Sequence, residues 1–209
     1  MIVCCHTQID RQWSDAELQQ KLNLLPQKMQ QDALRKRLWL DKQLAISGKL
    51  LLMEVLKHFD PGLLLKDIQY NQYHRPYFNA DFDFNIAHSG NIAICCGTIE
   101  GKVGVDIEQG KEIDLSDYAD YFTTNEWNLI NNSTDKFDAF YNCWARKEAV
   151  LKAIGTGFHT PLLAVNVSED VVRYDGVAYY LQELNIQTEY KCNIASTMKQ
   201  SISLYPVVI

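Results

Sequence analysis

A stretch of helical periodicity followed by short strand-like runs occurs twice along this chain, and that order limits the fold more than any other feature. In residues 27–58 apolar side chains recur at helical spacing (Leu34, Leu38, Leu44, Leu51, Leu52, Val55, Leu56), and Asp60-Pro61-Gly62 predicts a stop. Three strand-like runs follow, 82–87, 91–99 and 102–107, with Gly90 and Glu100-Gly101 as turns. The second pass predicts helices over 123–131 and 135–154, the latter ended by Gly155 and Gly157, then strands near 165–173, 177–185, 189–196 and 201–207. YKCNIAST (190–197) echoes SGNIAICCGT (89–98). The expected fold is α+β, a pseudo-twofold duplication of two similar halves, each a long helix packed on a small antiparallel sheet. The halves are 1–100 and 101–209, with the functional site at their interface. A short strand at 2–6, a helix over 14–22 with Ser14 and Glu17 as a capping box, and a loop-like stretch at 66–80 complete the reading.

At 209 residues the chain is long enough for one large domain or two small ones sharing a core. A net charge of −6 argues against non-specific nucleic-acid binding, although Arg35, Lys36 and Arg37, followed by Lys42 and Lys49, form a local basic patch. Charges interrupt the apolar runs, as Glu54 and Lys57 do in LLMEVLKHF, so no membrane span is expected. The opening MIVCCHTQIDRQW lacks the basic and apolar regions of a secretory signal, so a cytoplasmic protein is expected. Six cysteines without a CxxC spacing predict reduced, buried thiols, with Cys4–Cys5 and Cys95–Cys96 pointing to opposite strand faces.

Two motifs carry chemistry. In GVDIE (104–108), Asp106 and Glu108 share one strand face, while Val103, Val105 and Ile107 anchor the other. In WARKEAVLKAIGTG (144–157), Glu148 and Lys152 are four apart on one helix face, flanked by Lys147. Each alone reads more plainly as a solvated strand face or an exposed ion pair worth about 0.3–0.5 kcal/mol. Together they bring three hard carboxylates beside one lysine, which suits Mg²⁺ holding a phosphate-bearing substrate.

FNIAHSG (84–90), GVDIE (104–108), FTTNEW (122–127) and WARKEAVLKAIGTG (144–157) stand in the order and rough spacing of the double-length, surfactin-synthetase-activating type of 4′-phosphopantetheinyl transferase, which this chain resembles. LPQKMQQDALRKRLWLDKQLAISGKLLL (24–52) also fits, so the resemblance spans nearly the whole chain. It implies transfer of the phosphopantetheine arm of coenzyme A to a serine of an acyl or peptidyl carrier protein, releasing adenosine 3′,5′-bisphosphate. It implies Mg²⁺, with Mn²⁺ as a substitute, held by Asp106, Glu108 and Glu148. Lys152 would meet the pyrophosphate, and Glu148 would double as the base for the serine. His88, Ser89, Arg75, Pro76, Lys42 and Lys28 would contact coenzyme A. The arginine that many relatives carry four residues before the helix glycine is here Leu44, which leaves Lys42 as the nearby cation.

By the same resemblance the protein is a monomer, because the duplication supplies the interface internally. Among the aromatics of 111–127, Phe122 and Trp127 are expected in the core and Tyr118 or Tyr121 near the carrier. Two other readings use the same residues: a Mg²⁺-dependent nucleotide or coenzyme A phosphohydrolase, and a non-catalytic carrier-binding protein.

Overall fold

The computed structural model describes residues 1–59 and 62–209. The first pass comprises β1 (Ile2–Gln8), α1 (Asp15–Leu22), α2 (Gln27–Leu34), α3 (Trp39–Lys57), a small hairpin of β2 (Gln69–Tyr70) and β3 (Pro76–Tyr77), then β4 (Asp83–Ser89) and β5 (Ile92–Thr98). The second comprises β6 (Val103–Gln109), α4 (Thr124–Asn132), α5 (Lys136–Ile154), β7 (Val171–Tyr174), β8 (Val177–Leu184), β9 (Tyr190–Ser196) and β10 (Ile202–Pro206).

The helix ends follow local chemistry. Ser14 and Thr123 each accept a hydrogen bond from the backbone N–H of the third residue of their helix, Glu17 and Glu126, whose side chains reciprocate, so α1 and α4 both open on capping boxes. Asp135 caps α5, and Gly155 ends it in the left-handed region at φ 83°. The periodicity of 27–58 resolves into two helices, not one. Leu34 and Leu38, counted as core positions in a single helix, are 49% and 64% exposed at the break, where Leu38 turns extended. Of the expected helix stop at 60–62, Asp60 and Pro61 lie outside the described residues.

The two passes share one plan. Sheet order is β1-β5-β4 in the first and β6-β9-β8-β7 in the second, all antiparallel, and α3 and α5 are each 19 residues long. The sequence echo falls on corresponding strands, β5 and β9, but not in register: Ile92 opens β5, whereas Ile194 sits deep in β9 opposite Val105. What repeats is the architecture. One strand departs from a division at residue 100. β10 leaves the second half and pairs in parallel with β1, Ile2 opposite Ile202, extending the first sheet. The expected strand at 165–173 is reduced to β7, because Val165 and Val167 are tied to side chains of α4 and α5 instead.

Three buried clusters form the core. α3 covers one face of the first sheet through Leu51, Val55, Phe84 and Cys95. α5 covers one face of the second through Phe140, Val150, Leu181 and Ala195. Between them lie Cys4, Ile94, Cys96, Val103, Val105, Ile107, Cys192 and Ile194. Cys4 and Cys5 thus point to opposite faces, as do Cys95 and Cys96, and all six thiols are free and buried.

The halves meet where β4 runs beside β6. Here the side chains of β4 replace the carbonyls of a regular ladder: Val103 N–H donates to Asp83 Oδ2 (2.8 Å), Val105 N–H to Asn85 Oδ1 (3.1 Å) and Gln109 N–H to Ser89 Oγ (3.0 Å). Alternation along β4 then leaves Ile86 facing α3, with His88 two residues on.

Candidate active site

Gly104 explains how the two motifs meet. A Cβ there would lie 2.1 Å from Ala149 O and 2.4 Å from Ala153 N, so the backbone of α5 rests directly on β6. That close approach sets the carboxylate face of β6 against the Glu148–Lys152 face of α5. Lys152 Nζ donates to Asp106 Oδ1 at 2.5 Å. Asp106 is 5% exposed, and its other oxygen, Oδ2, is buried with no hydrogen-bond partner. Ser89 Oγ accepts from Gln109 N–H, so its proton turns to Glu108 Oε2 at 3.0 Å.

The electrostatics show acids in excess of cations. Burial, then the charge of Asp106, pushes Glu108 up to about 7, with Glu148 adding to the rise. Burial and Asp106 also raise Glu148. Asp106 itself rises through burial, against the pull of Lys152. Burial lowers Lys152, but Asp106, Glu148 and Glu108 together carry it above its usual value. Among the described residues no three His, Cys, Asp or Glu side chains are arranged to hold a metal ion by themselves.

Two clefts flank this centre. One, of about 200 Å³, is lined by Tyr73, Arg75, Pro76, Asn85, Glu148 and Lys152. The other, of about 350 Å³, runs between α2, α3 and β4, with Lys36, Lys49, Tyr70 and His88 in its walls. Pro76 and Asn85 border both, so the clefts adjoin over the joint between the sheets. Partial enclosure, then Lys152, Lys36 and Lys49, holds the His88 imidazole below its usual range, and Asp41 opposes them.

The expected coenzyme A contacts divide. His88 and Pro76 line the clefts, and Lys28 stands over the Tyr70 ring, 5.5 Å from its centroid. Lys42 lines neither cleft; Leu44 does, and the cation on that face of α3 is Lys49. Sequence reading placed Lys49 only in a general basic patch; its position next to Gly48, whose Cα face touches Ile86 of β4, was the available signal. Ser89 is engaged by Glu108 and Gln109. Arg75 turns its guanidinium away to Asp83, at 2.8 Å through both terminal nitrogens.

Lys147 is the second residue whose role the sequence did not disclose. It is wholly buried and pairs with the wholly buried Glu126 at 2.9 Å, while also donating to Leu162 O and Val165 O. Among the aromatics Phe122 is buried against Phe140 and Trp144, Trp127 stacks on Phe122, Tyr118 packs edge-on to Trp144, and Tyr121 is 44% exposed.

Residues 102–200 match the family model of the 4′-phosphopantetheinyl transferase superfamily. The chain is 29% identical over 178 residues to 4′-phosphopantetheinyl transferase gsp of Aneurinibacillus migulanus, covering 78% of this chain and 73% of that protein. It is 30% identical over 150 residues to a putative 4′-phosphopantetheinyl transferase of Haemophilus influenzae, covering 68% and 57%. With 4′-phosphopantetheinyl transferase Sfp of Bacillus subtilis it shares 35% identity over 89 residues, 42% of this chain and 39% of that one.

Proposed function

We propose that this chain, which belongs to the 4′-phosphopantetheinyl transferase superfamily, moves the phosphopantetheine arm of coenzyme A to a serine of an apo acyl or peptidyl carrier protein. The observation that carries the reading is the buried, unpartnered Oδ2 of Asp106, beside Lys152 and two carboxyls that burial and mutual repulsion hold above their usual range. Such a set is short of positive charge. The donor chemistry of Asp106, Glu108 and Glu148 suits Mg²⁺, or Mn²⁺, and the three would hold it only together with phosphate oxygens of the substrate. When bound, the ion supplies charge neutralisation at the pyrophosphate.

The remaining roles belong to the chain's own side chains. Lys36 and Lys49, against the single carboxylate Asp32, give the cleft beside His88 a positive balance suited to an anionic nucleotide, and Lys49 stands in for the cation missing at Leu44. Lys152 meets the pyrophosphate from the adjoining cleft. Glu148 borders that cleft, and its raised pKa makes it a better acceptor for the serine proton than an ordinary carboxylate. As the serine oxygen bonds to the phosphorus bearing pantetheine, the bridging oxygen leaves with adenosine 3′,5′-bisphosphate. The repeated plan within one chain supports a monomer, and Tyr121 is the exposed aromatic for a carrier surface.

Intact-mass spectrometry of apo carrier proteins with coenzyme A and Mg²⁺ tests the reading. Mass gain of the carrier is expected, and Glu148→Ala should abolish it while the protein stays folded. Release of adenosine 3′,5′-bisphosphate without any acceptor would instead identify a hydrolase.

A further inference from the structure

Arg75 sits in a loop built to aim it inward. Asn71 Oδ1 accepts from the backbone N–H groups of Tyr73 and Arg75, Asn71 N–H donates to Arg75 O, and His74 takes a left-handed φ of 61°. From there the side chain, 11% exposed, reaches three elements at once. Nε donates to Lys152 O (3.0 Å), Nη1 to Asp83 Oδ1 and Nη2 to Asp83 Oδ2 (each 2.8 Å), and Nη2 also to Val103 O (3.1 Å). Four of the five guanidinium donors are therefore committed. Asp83 is itself bound to Val103 N–H, so the pair spans β4, β6 and the last turn of α5. Space for it comes from Gly155, where a Cβ would meet Arg75 Cδ at 2.5 Å, and Asn71 Nδ2 holds Gly155 O at 3.3 Å.

We infer that Arg75 is a positioning residue that clamps the end of α5 to the joint between the two sheets, setting Lys152 against Asp106, and is not a ligand of the substrate's phosphates. A phosphate would have to displace a bidentate, buried carboxylate to reach it. The inference rests on the transfer reading, because it is the placement of Lys152 in that reaction that the clamp serves.

The two roles give opposite results in Asp83→Asn, which removes the counter-charge and the bidentate grip on the guanidinium without removing the guanidinium itself. A phosphate ligand so released would bind coenzyme A as well or better and keep turnover. A clamp so released loses turnover by a far larger factor than affinity, because the guanidinium itself makes no contact with coenzyme A. The decisive companion is Arg75→Met/Asp83→Leu, which strands no charge. Coenzyme A binding by titration calorimetry and turnover of an apo carrier at saturating coenzyme A are measured on the full chain, alongside thermal melts. For both variants turnover is expected to fall at least about tenfold with Kd changed by less than about twofold. A Kd for the double variant raised about tenfold or more, or turnover unchanged in either variant, would overturn the inference. Loss of the folded state in the double variant would also overturn it, in favour of a purely structural role. Wild-type protein that neither binds coenzyme A nor modifies a carrier would bring down the transfer reading itself, a separate result.

Discussion

Replacing Lys147 by methionine is the sharpest test of how α5 is held. The ammonium has three donors, and all are used, by Glu126, Leu162 O and Val165 O. Methionine fills the stem's volume but leaves Glu126 without its counter-charge in a site with no solvent exposure. Glu126 keeps hydrogen bonds from Thr123 N–H, Thr123 Oγ and Val167 N–H, which offset part of the loss. Stranding one member of a buried pair costs about 3–5 kcal/mol. For a chain of this length each kcal/mol moves the midpoint by about 2–4 °C, so thermal melts followed by circular dichroism should drop by roughly 6–20 °C. Lys147→Met/Glu126→Leu should be more stable than Lys147→Met alone, because no charge is left behind. A drop under about 2 °C in the single variant, or a double variant as unstable as the sum of the singles, would refute the argument.

Gly104→Ala should destabilise by about 3 kcal/mol or more, since its Cβ would strike backbone atoms that cannot rotate aside; an unchanged melting temperature would remove the reason given for that glycine. The raised carboxyls predict a pH trend. A carboxyl whose folded pKa exceeds its unfolded one keeps its proton longer in the native state, so its contribution is fully present below the unfolded value and lost as pH rises to the folded one. For Glu108 that window runs from 4.5 to about 7. Metal-free protein should therefore lose melting temperature across this range, and added Mg²⁺ should restore more of it at pH 8 than at pH 5. An equal effect of Mg²⁺ at both pH values would count against these carboxylates as its ligands.

The elements that form the site were legible because their signals are local: Glu148 and Lys152 four apart on one helix face, a double glycine after Ile154, alternation in GVDIE. The split of 27–58 was not, because Leu34 and Leu38 satisfy a helical period while pointing to solvent. The sequence also cannot separate Lys147 from Lys152, or Arg75 from a free cation. One lysine ends at a buried glutamate and the other at Asp106, and only packing of distant segments decides which. Lys49 stands out from the rest of its basic patch only in the structure, for the same reason: its direction depends on how closely α3 approaches β4.

The pairing of β1 with β10 bears on how the molecule is made. Ile2 finds its partner Ile202 two hundred positions later, so the first strand emerges from the ribosome long before one of its neighbours exists. During synthesis β1 is held on one edge only, by β5, and its other edge stays open until the final strand arrives. Contacts of such sequence separation form late and slowly, and an open edge in the interval invites strand exchange between nascent chains. Removing residues 201–209 should thus leave a chain whose first sheet is complete but for its closing strand, detectable as concentration-dependent association.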